Sequence, residues 1–235
     1  MEKLGPATLS QHERDLWQES RIKDLWQVFR IMAEFVEGFE TMSRLGPSVS
    51  IFGSARTTPG HVYYELARET AAALVRRGFG VITGGGPGIM EAANRGAREA
   101  GGSSVGLNIV VPHEQASNEF VDHDKLITFD YFFVRKVMFV KYAQGFIALP
   151  GGFGTLDELF EALTLIQTGK STLFPVVLLG SDFWAGLEGW IREKVLVAGN
   201  IAERDMDLVH VCDEPEEAAA FVAAFYREHA RAPNF

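Results

Sequence analysis

From residue 47 onward, short apolar runs alternate with longer segments of helical periodicity, and this alternation most constrains the fold. The runs predicted to be strands are residues 49–52, 79–83, 104–111, 126–129, 145–149, 175–180 and 208–211. Apolar residues recur at helical spacing between most of them, as in 63–77 and 89–100. Continuously apolar strands that alternate with helices indicate a parallel sheet covered on both faces. Right-handed crossovers then predict a Rossmann-like three-layer α/β sandwich with about seven strands.

Residues 1–46 do not follow this pattern, and we interpret them as a helical extension of a Rossmann-like domain at 47–235. Apolar residues such as Leu16, Trp17, Trp26 and Phe29 recur there at helical spacing. The spacing predicts one or two amphipathic helices that end near Gly46 and Pro47. So much apolar surface on an extension indicates packing against the domain or against another subunit.

The composition restricts the classes of function. The chain has 235 residues, is 47% hydrophobic and carries a net charge of -9. A strongly acidic protein is a poor candidate for binding the phosphate backbone of nucleic acids. The single cysteine, Cys212, allows neither an internal disulfide nor a cysteine-based zinc site. No signal peptide and no run of ~20 apolar residues is apparent. We therefore expect a cytoplasmic protein that binds neither nucleic acid nor membrane.

Two predicted strands end in glycine-rich turns at the sheet edge where ligands of such folds bind. TGGGPGIME follows the second strand and PGGFGTLDE follows the fifth. Small residues let backbone N–H groups approach an anion, and the following helix adds its positive N-terminus. Ordinary tight turns are the plain alternative, which two such loops on one edge make less attractive. The candidate ligand-binding residues are Gly84, Gly85, Gly86, Gly151, Gly152, Gly154 and Thr155.

Neither loop is a standard nucleotide fingerprint. GGGPGIM lacks the G-x-G-x-x-G spacing of dinucleotide-binding folds, and PGGFGT is not followed by the Gly-Lys-Ser/Thr of a Walker A loop. A mononucleotide therefore fits better than NAD or ATP.

Charged residues lie near the same predicted edge. Glu158 begins the helix after PGGFGT, where an acid can simply favour the helix dipole, although Asp157 can fill that role. An acid beside a phosphate cradle is repelled by its ligand, which favours a functional origin. Arg135 and Lys136 follow the fourth strand, where a solvated basic turn is the alternative.

These motifs resemble the LOG (LONELY GUY) family of cytokinin riboside 5′-monophosphate phosphoribohydrolases, many of whose bacterial members carry the label lysine decarboxylase. The family signature PGGxGTxxE is complete from Pro150 to Glu158, and Arg135, Lys136 and Met138 meet a second signature. The resemblance covers roughly residues 47–220. The long N-terminal extension is similar to that of the longer bacterial branch of the family. Resemblance to this branch implies a hexamer built from dimers. The resemblance therefore implies a homo-oligomer.

The resemblance also implies roles for individual residues. The family's catalytic arginine and glutamate fall on Arg135 and Glu158. The acid that binds substrate after the third strand would be Glu114 or Glu119, and Glu114 is favoured because it lies closer to the strand end. The other implied substrate ligands are Ser54, Lys136, the loop 152–158 and Thr164.

The expected reaction is hydrolysis of the N-glycosidic bond of a nucleoside 5′-monophosphate, without cofactor or metal. His113, His123 and His210 show no metal-ligand spacing. A carboxylate beside the ribose stabilises the oxocarbenium-like charge or positions the attacking water, and Glu158 is the candidate. Arg135 can serve the leaving base or the phosphate, or can hold Glu158.

Three alternatives remain at this point. The first is a nucleotide-binding or carrier protein on the same fold, without catalysis. The second is a lysine decarboxylase, which needs a lysine that forms a Schiff base with pyridoxal phosphate. The third is an NAD-dependent dehydrogenase, which the missing fingerprint disfavours.

Overall fold

A single parallel sheet forms the centre of the protein. The structure, a computed structural model, describes the backbone of residues 11–110 and 117–229, with side chains from residue 25 onward. The strands are β1 (Ser48–Phe52), β2 (Gly80–Thr83), β3 (Ser104–Ile109), β4 (Leu126–Phe129), β5 (Ala143–Ala148), β6 (Val176–Leu179) and β7 (Val209–Cys212). Their order is β4-β3-β2-β1-β5-β6-β7, and every neighbouring pair is parallel. The order reverses between β1 and β5, which places a topological switch point there.

Helices cover both faces of the sheet. They are α1 (Gln11–Met42), α2 (Val62–Arg76), α3 (Ile89–Glu99), α4 (Phe132–Tyr142), α5 (Phe153–Gln167), α6 (Ser181–Trp190) and α7 (Pro215–His229). A π-helical turn, Ile191–Leu196, continues α6, and 3-10 turns lie at His123–Lys125 and Glu203–Leu208. The predicted three-layer α/β sandwich is confirmed. Each strand limit differs from its predicted value by at most two residues, because an apolar run does not fix where the hydrogen-bonded ladder ends.

Two hydrophobic cores lie on the two faces because successive strand residues point in opposite directions. Ile51 packs with Tyr64 and Leu74 of α2 in the core that α2, α3 and α7 cover. Its neighbour Phe52 packs with Phe139 of α4 in the core under α4, α5 and α6. The sheet is mostly apolar, with Ser48, Ser50, Thr83 and Ser104 as its buried polar residues.

The N-terminal segment is one continuous helix in the described residues, and it ends at Met42 rather than near Gly46. Met42 is fully buried in the α4–α6 core. The Glu34 carboxylate accepts hydrogen bonds from the backbone N–H groups of Asp130 (2.9 Å) and Tyr131 (3.3 Å). The helix is thus fastened to the start of α4. The side chains of Leu16 and Trp17 lie outside the description.

One face of α1 stays exposed and apolar, and its side chains are those of Leu25, Trp26, Phe29, Met32 and Val36. None of the described helices combines the length and the apolar character that a bilayer crossing requires.

Candidate active site

Ser54 joins three loops at the switch point. Its backbone N–H donates to the carbonyl of Pro150 (3.0 Å), and its own carbonyl accepts from the N–H of Ile89 (3.0 Å). The Ser54 hydroxyl accepts from the N–H of Arg56 (3.1 Å). The turns after β1, β2 and β5 therefore meet at one place, as the parallel topology requires.

A cleft of about 660 Å³ opens at this junction, a volume typical of small-molecule sites. The structure brings together seven of the predicted site residues in its lining: Ser54, Gly84, Arg135, Gly152, Gly154, Thr155 and Glu158. The apolar part of the lining includes Met90, Ile109, Phe132, Phe139 and Phe153. The cleft thus has a polar, glycine-rich side and an aromatic side.

The glycines of this junction are present for different physical reasons. Gly88 has φ +72°, and a side chain there would also press on the backbone of Ala55. Gly152 has φ -93°, and Gly154 lies within α5. A Cβ at position 152 or 154 would meet no protein atom within 4 Å. Neither turn geometry nor protein packing therefore requires glycine at these two positions, and both line the cleft.

The N-terminus of α5 faces the same cleft. No side chain caps it, so the N–H groups of the first turn keep hydrogen-bonding capacity. The helix dipole adds partial positive charge there, and the open space at Gly152 and Gly154 lets a ligand approach. This arrangement suits an anion such as a phosphate group.

Glu158 lies on α5 beside this anion site and is only 5% exposed. Burial raises the pKa of its carboxyl group to about 7, and the nearby Glu161 and Asp157 act in the same direction. Lys136 and Arg135 oppose the rise and lower the pKa. Within the described part of the chain, its Oε2 atom is buried without a hydrogen-bond partner. Burial of an ionisable carboxyl group costs free energy, and such a group in a cleft is typical of functional sites.

Arg135 and Lys136 point in different directions from α4. The Arg135 guanidinium lines the cleft and lies over the ring of Phe132, 4.9 Å from its centroid. Lys136 Nζ pairs with Asp157 (2.9 Å) and Glu161 (2.7 Å), the acids on either side of Glu158 along α5. Its side chain is only 16% exposed. Lys136 therefore fastens α4 to the part of α5 that carries Glu158.

Lys136 and Thr164 line a neighbouring open cleft rather than the one that contains Glu158. The Thr164 hydroxyl donates to the carbonyl of Phe160 within its own helix (2.7 Å). Contact of these two residues with substrate stays a prediction.

A buried polar network supports the loop after β2, and the sequence reasoning missed it. Asn118 Nδ2 donates to the carbonyls of Gly85 (3.0 Å) and Gly86 (2.9 Å) and to Asn94 Oδ1 (3.0 Å). Asn94 Oδ1 also accepts from the Thr83 hydroxyl (2.6 Å). Gly85 and Gly86 are thus held through their carbonyls and do not line the cleft. Asn118 lies in the segment PHEQASNE, in which the sequence predicts only the acids Glu114 and Glu119 as ligand candidates.

Arg56 lines the cleft although the sequence did not single it out. The substrate-binding acid after the third strand stays a prediction. Arg56 is exposed and lies two residues after Ser54 in the turn that follows β1. Glu114 and His113 lie outside the described residues. Glu119 is exposed, and its backbone carbonyl accepts from Arg98 (2.7 Å).

One group of possible metal ligands occurs in the described residues, away from the cleft. Ligand atoms of His210, Cys212 and Glu217, on β7 and α7, lie within 4.8 Å of one another. Burial raises the pKa of the Cys212 thiol to about 12, so the thiol keeps its proton at neutral pH.

Comparison with known proteins identifies a matching family profile and curated relatives. Residues 90–222 match the profile of a family described as possible lysine decarboxylase. A cytokinin riboside 5′-monophosphate phosphoribohydrolase of Mycobacterium tuberculosis is 35% identical over 177 residues, which cover 73% of this chain and 90% of that protein. The protein of the same name from Mycobacterium marinum is 33% identical over 174 residues, with the same coverage of 73% and 90%.

Solved structures share the fold. The molybdenum cofactor carrier protein of Chlamydomonas reinhardtii is 27% identical and superimposes with a TM-score of 0.58, covering 78% of this chain and 99% of that one. A molybdenum cofactor binding protein of Rippkaea orientalis is 23% identical with a TM-score of 0.54, covering 77% and 98% of the two chains. At that identity the second likeness concerns the fold alone.

Proposed function

The chain belongs to the LOG family, whose profile is described as possible lysine decarboxylase, and from this premise we propose that it is a nucleoside 5′-monophosphate phosphoribohydrolase. It hydrolyses the N-glycosidic bond of a cytokinin or purine riboside 5′-monophosphate to the free base and ribose 5-phosphate. The observation that carries the proposal is the buried Glu158 carboxylate beside the open, glycine-lined N-terminus of α5. The names of the curated relatives support the same reaction.

The phosphate binds at the N-terminus of α5. The N–H groups of its first turn and the positive end of the helix dipole attract the anion, with Gly152 and Gly154 leaving the space. Arg56 adds positive charge to the rim of the cleft. Binding energy at the phosphate, remote from the reacting bond, then orients the ribose toward Glu158.

Glu158 acts at the anomeric carbon of the ribose. When the bond from C1′ to the base nitrogen breaks, its electron pair leaves with the base and positive charge develops on the ribose. The Glu158 carboxylate stabilises this charge and accepts a proton from the water that attacks C1′. The burial that costs free energy also strengthens this interaction, because little water screens it.

Arg135 is placed to stabilise negative charge. Its guanidinium lies over the ring of Phe132 and lowers the pKa of Glu158. We propose that Arg135 stabilises the negative charge of the departing base or of the phosphate, and that it helps to keep Glu158 ionised. The aromatic side, with Phe132 and Phe139, suits the flat base.

The decarboxylase reading of the family description is disfavoured by the state of Lys136. A Schiff base forms from a neutral amine. Although burial lowers it, hydrogen bonds to Asp157 and Glu161 raise the pKa of Lys136 above its ordinary value. This ammonium group is therefore held in its charged form.

A carrier without catalysis is the second candidate, because a solved neighbour is a molybdenum cofactor carrier. A carrier of an anionic ligand gains nothing from a buried carboxylate beside its anion site. Glu158 therefore favours the hydrolase.

Product analysis tests the proposal. The purified protein is incubated with AMP and with isopentenyladenosine 5′-monophosphate, and chromatography is used to look for free base and ribose 5-phosphate. We expect both products from at least one substrate. Binding of AMP with no product from either nucleotide would favour the carrier.

We also propose that residues 1–46 are an extension of a catalytic domain at 47–235, and that the protein is a homo-oligomer. The exposed apolar face of α1 supports self-association. A cytoplasmic location is proposed from composition.

A further inference from the structure

A second cavity, of about 400 Å³, is lined by residues of α5 that do not include Glu158. Its walls come from α5, α6, the π-helical turn, the 3-10 turn at Glu203–Leu208 and the strands β6 and β7. The apolar side chains that form most of its lining include Leu159, Leu163, Leu187, Ile191, Val195 and Met206. Small-molecule sites begin at about 300 Å³, so this cavity is large enough for a small ligand.

The wall of this cavity contains an unusual backbone. The helix formed by α6 widens into a π-helical turn at Ile191–Leu196, and Ile191 and Val195 of that turn face the cavity. π-helical turns are rare, and they occur frequently at functional sites. This is an observation independent of the cavity volume.

The polar side chains of the lining already have partners within the protein. Gln167 Nε2 donates to Asp205 Oδ2 (2.6 Å), and Glu188 Oε1 accepts from Arg192 Nη2 (3.3 Å). The Thr164 hydroxyl is bonded within α5. Apart from the indole N–H of Trp190, the remaining lining is hydrocarbon, and the charged lining side chains are the acids Glu188 and Asp205.

We propose that this cavity binds a small, uncharged and mostly hydrocarbon ligand. Apolar cavities lined by Leu and Ile favour such molecules over water. The acids at the lining disfavour a carboxylate, so a neutral alcohol or hydrocarbon chain binds better than a fatty acid of equal length. The ligand contacts Leu159, which neighbours Glu158 along α5.

The test compares 1-octanol with octanoate as probes, since their chains have equal length. Trp190 lines the cavity and reports binding through its fluorescence, and a rise in melting temperature gives a second readout. We expect saturable binding of 1-octanol and at least about tenfold weaker binding of octanoate. Equal affinity for both probes, or no saturable binding of 1-octanol, would overturn the proposal.

Two matched variants locate the binding. Val195→Phe fills the cavity, whereas Val197→Phe adds the same bulk at a side chain that is 80% exposed and does not line it. We expect the affinity for 1-octanol to fall at least about tenfold in Val195→Phe and to be unchanged in Val197→Phe. Unchanged affinity in both would contradict the site. If Val195→Phe does not fold, Leu187→Phe on α6 replaces it under the same criteria.

Discussion

Glu158 is a carboxyl group that burial makes hard to ionise at neutral pH. Its pKa of about 7, against an ordinary value of 4.5, comes first from burial and is kept from rising further by Lys136 and Arg135. Native proteins rarely keep a buried acid without a hydrogen-bond partner. The free-energy cost of this acid is a property that can be measured separately from catalysis.

Glu158→Gln should therefore stabilise the fold at alkaline pH. The raised pKa means that the folded state holds the proton more tightly than the unfolded state. This contribution of Glu158 to the stability of the parent protein is fully present below about pH 4.5 and is lost as the pH rises through about 7. At pH 8 the variant should be more stable than the parent by on the order of 2 kcal/mol, and the gain should largely disappear at pH 5. Urea unfolding at both pH values measures this difference. A gain of equal size at pH 5 and pH 8 would show that ionisation is not its cause.

Sequence reasoning at the residue scale identifies side chains that belong to a motif but not those that support it. Glu158 and Arg135 could be selected because they stand in recognisable signatures, and both line the cleft. Asn94 and Asn118 could not, since these two residues lie 24 positions apart along the chain and their side chains meet only in the folded protein. Whether a lysine faces substrate or a neighbouring helix, as at Lys136, likewise depends on packing.

At the scale of elements, the contact between α4 and α5 sets the environment of the cleft. Lys136 of α4 pairs with Asp157 and Glu161 of α5 and so positions the turn that carries Glu158. The charged groups that face Glu158 are Arg135 and Lys136 from α4 and Asp157 and Glu161 from its own helix. Removal of one cation from this set leaves the acids in excess.

Lys136→Met should therefore move the pH dependence of turnover. Because Lys136 lowers the pKa of Glu158, its loss raises that pKa. Since Glu158 acts as the carboxylate, the increase of kcat/KM with pH should shift to higher pH. Lys136→Arg keeps the charge and should restore the parental profile. A profile with an unchanged midpoint but a lower plateau in Lys136→Met would assign Lys136 a direct role with substrate instead.

The N-terminus of α5 gives a second prediction at this scale. Gly154→Ala adds a methyl group that meets no protein atom within 4 Å, in a helix where alanine is favoured over glycine. We expect a gain of about 0.5–1 kcal/mol in stability together with weaker AMP binding, because the methyl group occupies the phosphate site. Gly186→Ala in α6 is the matched control, equally open and remote from the cleft. It should gain stability with unchanged AMP affinity. AMP affinity equal to the parent in Gly154→Ala would place the phosphate elsewhere.

At the scale of the whole molecule, the repeating strands and helices specify the sandwich, but they do not specify what covers α1. The alternation predicted the parallel sheet because each buried strand has its own apolar run. The length of α1 was less predictable, since helical spacing alone does not tell one helix from two. Its exposed stripe contains Leu25, Phe29, Met32 and Val36, spaced by four, three and four residues. This is the spacing of a seam between two helices.

Self-association through α1 is the corresponding prediction. The double variant Phe29→Glu/Val36→Glu places charges in the stripe and should lower the mass of the protein in solution, as measured by sedimentation. Gln27→Glu adds a charge outside the stripe and should leave the mass unchanged. An unchanged mass in the double variant would assign the subunit contact to another surface.

The measurement that tests the central claim most directly is turnover and AMP affinity in Glu158→Gln. Glu69→Gln on the exposed part of α2 is the matched control. We expect kcat to fall by at least ~100-fold in Glu158→Gln, with the calorimetric Kd for AMP within a few-fold of the parent. The control should retain both values. Full turnover in Glu158→Gln, or loss of AMP binding in parallel with turnover, would contradict the assignment of Glu158 as the catalytic carboxylate.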